Sequence, residues 1–304
     1  MMSSAVEEYL ILRRSTGYKL QETADVLRSY LKIAAERGED YVKVATAIEW
    51  ARRGTSPARC ARRLRVLGLF AEHVRVEDTR HQVIPRDSFP PVRVLRYPPR
   101  IFSTSEIVQV LQLTDTLGPP GSIRALTYRT IFGLLFATGL RRAELLRLCF
   151  ADVQPAGLLI RETKFAKSRQ LPLHPSTAAA LERYLEVRRA LVAETDSLFL
   201  SFRRRPLDGS SLLVTFQTLC EQAGIKGAGA RRKPRLHDLR HSFAVHALER
   251  CSAEREGVER HMLALSTYLG HSKPSDTYWY LEQTPELMRG IANACDKASS
   301  GGAP

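Results

Sequence analysis

Four short stretches of this chain carry side chains able to bind an anion or move a proton. In residues 137–148 an apolar run stops at Thr138-Gly139, and a new helix is expected to open at once with Arg141. Glu144 follows one helical turn on, where its carboxylate can fix the guanidinium fork. An ordinary surface ion pair has the same spacing. What sets Arg141 apart is its place at the edge of an apolar run. In Lys164-Phe165-Ala166-Lys167-Ser168-Arg169 three cations crowd an expected hairpin tip. An exposed turn accounts for them, and so does a loop that brings an ammonium to a phosphate or a leaving oxygen. In residues 236–244, His237 and Arg240 are neighbours on a helix, with His241 one position further. A helix-capping histidine is the simpler account, set against a strongly basic approach through Arg231, Arg232, Lys233 and Arg235. A zinc helix would need a glutamate beside His237 and a third ligand, and neither is present. In residues 268–280, Gly270 ends a helix and presents His271 from a turn, and a helix from Pro274 carries Tyr278 and Tyr280. A tyrosine alone is far more often core than nucleophile.

The elements that must hold these residues are mostly helical. Residues 1–75 place Val6, Tyr9, Leu10, Leu20, Ala24, Leu27, Tyr30, Leu31 and Ala34 at three- and four-residue steps. A further helix is predicted from Val42 to Trp50, and another from Ser56-Pro57, an N-cap followed by proline at the first helical position. Five prolines between 76 and 100 leave little room for a helix or central strand, so this stretch reads as a linker. At about 3.3 Å per extended residue it spans several tens of Å. Ser103-x-x-Glu106 is a capping box opening a second domain at residue 101. Strand character near Val153, at Leu158–Ile160 and at Gln170–Leu173 predicts a small antiparallel hairpin, with helices resuming at Pro175. The fold class expected is mainly α with a small antiparallel sheet, in two domains (1–75 and 101–290), joined by the 76–100 linker and followed by a 291–304 tail.

With 304 residues there is ample chain to bury two cores. The net charge of +14 favours polyanions. The longest uncharged apolar run, between Arg129 and Arg141, is far short of the roughly 20 residues a membrane span requires. The amino end has neither a basic nor an apolar run, so no signal peptide is expected. Five scattered cysteines without a CxxC pair point to reduced thiols in a cytosolic protein. Between Glu49 and Glu72 there is no acidic residue, yet Arg52, Arg53, Arg59, Arg62, Arg63 and Arg65 all fall there. A solvated helix face is one account and a phosphate-tracking surface is the other. The missing carboxylates favour the second, because a surface built only for solubility mixes signs.

Taken together, the four stretches resemble the tyrosine recombinase (phage integrase) family. Thr-Gly-Leu-Arg-x-x-Glu-Leu is similar to the block around that family's first catalytic arginine, and His-x-Leu-Arg-His-Ser-Phe-Ala to its His-x-x-Arg block. Leu-Gly-His followed nine residues later by tyrosine is similar to its terminal block, which makes Tyr280 the nucleophile rather than Tyr278. Residues 3–37 and the linker resemble its helical core-binding domain. Phe165 stands where the family's lysine hairpin has glycine, so Lys164 is the better match by its distance to Arg169 and Pro172-Leu173, with Lys167 the alternative. The stretch from Arg250 to His261 is longer than in the commonest members, and the terminal run is similar to transposon-borne members.

The resemblance implies a catalytic set of Arg141, Lys164, His237, Arg240, His271 and Tyr280, supported by Glu144. A phenol with an ordinary pKa of about 10 must lose its proton as it attacks. Arg141 and Arg240 would neutralise a phosphodiester in its pentavalent state. His237 would transfer the proton, His271 would orient the phosphate, and Lys164 would protonate the departing 5′ oxygen. No carboxylate cluster for Mg²⁺ is visible, so a reaction without metal or cofactor is expected. The family's 3′-phosphotyrosyl intermediate and Holliday junction call for double-stranded DNA as partner and four active sites, hence a homotetramer on DNA or a hetero-assembly with related recombinases. Integration, excision or transposition of mobile DNA would follow, in the cytoplasm at the nucleoid. A type IB topoisomerase shares the arginine, histidine and tyrosine chemistry, and a silent DNA-binding protein of the same fold is the remaining rival.

Overall fold

Helix α4 (Pro57–Val74) begins as its first residues demand. Ser56 is extended, its Oγ accepts the Arg59 N–H at 3.3 Å, and Pro57 fills the first turn. In the computed structural model α4 is the last of four helices among the described residues of the first of two compact units, Met1–Arg96 and Tyr97–Pro304. The structure describes residues 2–17, 20–85, 88, 98–161, 168–229, 233–250, 255–270, 277 and 280. Helices α1 (Met2–Ser15), α2 (Gln21–Glu36) and α3 (Val44–Arg52) pack with α4 around Leu10, Leu27, Tyr30, Trp50, Leu67 and Phe70. The Tyr30 and Trp50 rings meet edge-on at 5.3 Å.

The linker expectation does not hold for its first part. The Gln82 N–H donates to the Val42 carbonyl at 2.9 Å, and Nδ1 of the buried His81 accepts the Val42 N–H at 3.1 Å. Ile84 is buried in the same core. Proline prevents helix and central strand, but it does not prevent a segment from lying against a core and sharing backbone hydrogen bonds with it.

In the second unit, Ser103 and Glu106 form the reciprocal cap at the start of α5 (Thr104–Leu113). Helix α6 (Arg124–Thr138) buries Tyr128, Ile131, Phe132, Leu134 and Leu135. Its apolar residues point all round, as a helix enclosed by others requires, and α5, α8 (Pro175–Arg189) and α10 (Leu236–Glu249) pack against it. A short helix, α7 (Arg142–Leu145), follows the α6 terminus. The sheet has antiparallel order β1 (Val153–Gln154), β2 (Gly157–Ile160) and β3 (Arg169–Leu171). Leu158 faces Leu171 and Ile160 faces Arg169, with Leu158, Ile160 and Leu171 buried. Helix α9 (Gly209–Gln222) is capped by Asp208, whose Oδ1 accepts the Ser210 and Ser211 N–H groups. Helix α11 (Arg255–Leu269) lies against α10.

Candidate active site

Gly139 makes the site possible. It ends α6 at φ +62°, and a Cβ there would lie 2.7 Å from Phe243 Cδ1 and 2.9 Å from Leu269 Cδ2. Only glycine lets the chain turn at this depth, and the turn delivers Arg141 to the start of α7. Arg141 Nη1 donates to Glu144 Oε1 at 2.8 Å, and Nη2 donates to the Gly270 carbonyl at 3.0 Å. The Arg141 backbone N–H donates to Glu144 Oε2 at 3.0 Å.

Arg240 comes to the same place from the middle of α10 and is 2% exposed. Its Nη1 donates to the Gly139 carbonyl at 2.6 Å and its Nη2 to the Leu269 carbonyl at 2.8 Å. Burial, followed by the charge of Arg141, lowers its pKa to about 10, so it stays cationic at neutral pH. A guanidinium has five N–H donors, and two carbonyls do not exhaust them. The two arginines, 99 positions apart by number (240 − 141), therefore converge on the Leu269–Gly270 turn.

His237 lies one turn before Arg240 on the solvent-accessible side of α10. Loss of water around its ring, followed by the charges of Arg240 and Arg235, pushes its pKa down to about 4. The ring is open at its outer edge, so the direction rests most firmly on the neighbouring cations. Its ring meets that of His241 at 4.5 Å, nearly perpendicular, and His241 meets Tyr280 at 5.4 Å. Tyr280 is 3% exposed and packs with Ala244, Val245, Leu248, Met262, Leu265 and Leu269. Its electrostatic interaction with Arg240 places it beside the cations within the same unit. Arg240 and Tyr280 are both buried.

Lys164, Lys167, His271, Arg231 and Arg232 lie outside the described residues, as do Tyr278 and the 291–304 tail. Lys233 pairs with Glu221 at 3.5 Å, and Arg235 pairs with Asp238 at 2.8 Å. In the first unit Arg52, Arg59 and Arg65 are exposed, whereas Arg53 and Arg62 have carboxylate partners. Glu49 binds Arg53 at 3.0 Å, and Glu22 binds Arg62 at 2.6 Å. Arg63 stacks over Trp50 and donates to its carbonyl at 3.2 Å. Glu49 lies one helical turn before Arg53, and Glu22 reaches Arg62 through the packing of α2 on α4.

Two site neighbours have roles that the sequence did not assign. His241 bridges the rings of His237 and Tyr280. Arg169 makes a fork on Glu144, with Nη1 to Oε1 at 3.2 Å and Nη2 to Oε2 at 2.9 Å. A signal for Arg169 was present, since it is two positions before the buried Leu171 and so shares its face of β3. Burial raises the Glu144 carboxyl, but the hydrogen bonds and charge of Arg169, with those of Arg141, outweigh it and hold the pKa down at about 2.

A mainly helical unit with one small sheet, bringing two arginines and a tyrosine around one backbone turn, defines a site-specific recombinase of the tyrosine type. The chain belongs to the phage integrase family, whose model matches residues 100–286. It is 38% identical to y4rB of Sinorhizobium fredii (strain NBRC 101917 / NGR234), named as an integrase/recombinase, over 94% of each chain. It is 28% identical to the tyrosine recombinase XerC of Herpetosiphon aurantiacus, over 89% of this chain and 78% of that one. The fold is similar to that of a lambda integrase tetramer bound to a Holliday junction, with TM-score 0.63 and 17% identity, covering 94% of this chain and 78% of that one.

Proposed function

We propose that the protein cuts and rejoins double-stranded DNA through a covalent bond between Tyr280 and a 3′ phosphate. The observation that carries this reading is the gathering of Arg141, Arg240 and Tyr280 about the Leu269–Gly270 turn of one unit. The Tyr280 oxygen attacks phosphorus, the bond to the 5′ oxygen breaks, and the new phosphodiester preserves the bond energy. Arg141 and Arg240 hold the nonbridging oxygens, where fixed cations stabilise the pentavalent state. His237, kept neutral by its cationic neighbours, accepts the phenolic proton, and the incoming phosphate anion makes it a stronger base. Lys164, or Lys167 in its place, donates a proton to the leaving oxygen, and His271 orients the phosphate. A 5′-hydroxyl from a second duplex reverses the attack and exchanges strands.

Exchange between two duplexes requires four such sites, so the working form is a tetramer on DNA, passing through a Holliday junction. The similarity to the lambda integrase tetramer supports this. The exposed Arg52, Arg59 and Arg65 contact phosphates. The biological setting is integration, excision or transposition of mobile DNA at the nucleoid. Among the described residues, no helix is long and apolar enough to cross a membrane.

The test is adduct formation on a nicked duplex carrying the sequence that the protein selects from a random pool. Tyr280→Phe abolishes the adduct and leaves gel retardation intact, and the wild-type adduct persists in EDTA. Loss of the adduct in EDTA overturns the metal-free mechanism. Relaxation of supercoils without partner DNA favours a topoisomerase instead.

A further inference from the structure

We infer that Arg169 is a positioning residue that aligns the Arg141 guanidinium through Glu144 and ties the β2–β3 hairpin to the turn preceding His271; this rests on the recombinase reading above. Glu144 has a side chain only 3% exposed, and it is held from both sides by arginines. One of its oxygens takes Arg141 Nη1, and the other takes the Arg141 backbone N–H. Arg169 grips the same two oxygens with its own fork. A carboxylate held by one arginine can rotate, whereas one whose two oxygens take both the Arg169 fork and the Nη1 and backbone N–H of Arg141 cannot do so without breaking charge-assisted bonds. The direction of Arg141 is therefore set partly by Arg169, which itself acts from behind the carboxylate rather than on the phosphate.

The third contact of Arg169 carries the argument across the site. Its Nε donates to the Tyr268 carbonyl at 3.0 Å, in the last turn of α11. A Cβ at Gly270 would lie 2.7 Å from Arg169 Nη1, and this glycine already sits at φ +65°. The turn is thus shaped to admit the guanidinium. At its other end Arg169 opens β3, paired with Ile160 of β2, and Lys164 and Lys167 fall between those strands in sequence. One side chain, 14% exposed, links the helix start of Arg141, the base of the lysine-bearing hairpin and the residues before His271. Lysine cannot replace it, because an ammonium lacks the planar fork.

The experiment compares Arg169→Lys and Arg169→Ala with wild type on the nicked duplex above, in single-turnover cleavage across pH. Cleavage in Arg169→Lys falls by about 100-fold, the scale expected when a reacting group is misaligned, while gel retardation is unchanged. The acid limb of its rate profile moves upward as Glu144 loses its fork, and methylguanidinium restores part of the rate in Arg169→Ala. Wild-type cleavage by Arg169→Lys with an unmoved acid limb overturns the inference. So does a fall in rate matched by equal losses of DNA retardation and thermal stability. If Arg169→Ala does not fold, Arg169→Lys carries the test. If wild type forms no adduct, the recombinase reading fails. The positioning claim is then decided on the free protein by the Arg141 Nε–H resonance, assigned with Arg141→Lys. Arg169→Lys shifts that resonance, and an unchanged signal overturns the claim.

Discussion

The His237 imidazole shows how cations set a proton's fate at the scale of one residue. Its pKa lies at about 4 in the folded chain, below the ordinary histidine value of about 6.5. Between those values the unfolded chain binds a proton that the folded chain does not, so stability rises with pH across this window. Lowering the pH from about 6.5 to about 4 therefore weakens the fold, and below that the loss from this residue is complete. His237→Gln flattens the dependence of the urea midpoint on pH in that range. An equally steep profile in the variant would show that other groups govern acid sensitivity. Since the ring is partly open to water, the discriminating result is the change in slope rather than its size.

Turns and caps are the features to test among the elements. Gly139→Ala places a non-glycine residue in the left-handed region, at a cost of about 1–2 kcal/mol before any clash. The added methyl also meets Phe243 and Leu269. Because the Gly139 carbonyl accepts from Arg240, the variant loses cleavage rate as well as melting temperature. Ser103→Ala provides the contrast. It removes the capping box of α5 and costs about 1 kcal/mol, with the cleavage rate unchanged. Calorimetry beside single-turnover cleavage separates the two. Equal effects on rate would mean that the α6 turn has no special link to Arg240.

At the scale of the whole molecule, charge governs encounter with DNA. The net charge of +14 is distributed over both units, and some of the arginines in the basic stretch already have carboxylate partners. Exposed ion pairs are worth at most about 1 kcal/mol, so phosphates can displace them. The residues with most to gain from DNA are Arg52, Arg59 and Arg65. Changing all three to Gln reduces the slope of log affinity against log salt by about 0.9 for each phosphate no longer neutralised. A slope equal to wild type would remove this face from the interface.

Local rules were readable throughout. Ser56-Pro57, the Ser103–Glu106 box and the helix-ending Gly139 and Gly270 stand where neighbouring residues alone require them. The strand character of residues 158–160 and 170–173 and the apolar steps of α2 and α4 foretold the fold class in the same way. The linker was read too broadly, because the hydrogen bonds between Val42 and the 81–82 segment join residues 39 and 40 apart (81 − 42 and 82 − 42). Motif spacing singled out Arg141, His237, Arg240 and Tyr280; strand alternation puts Arg169 on the face of Leu171, but no spacing rule names its partners Glu144 and Tyr268, 25 and 99 positions away.

From its sequence alone the chain determined which residues could bind an anion, which elements would carry them, and the family it belongs to, since helix periods, caps and short motifs act over a few residues. Tertiary structure decided which distant charges meet: Glu22 with Arg62, Glu49 with Arg37, and Glu144 with Arg169. Pairings of this kind depend on how helices and strands pack, and a side chain's partner across a core is a property of the folded whole.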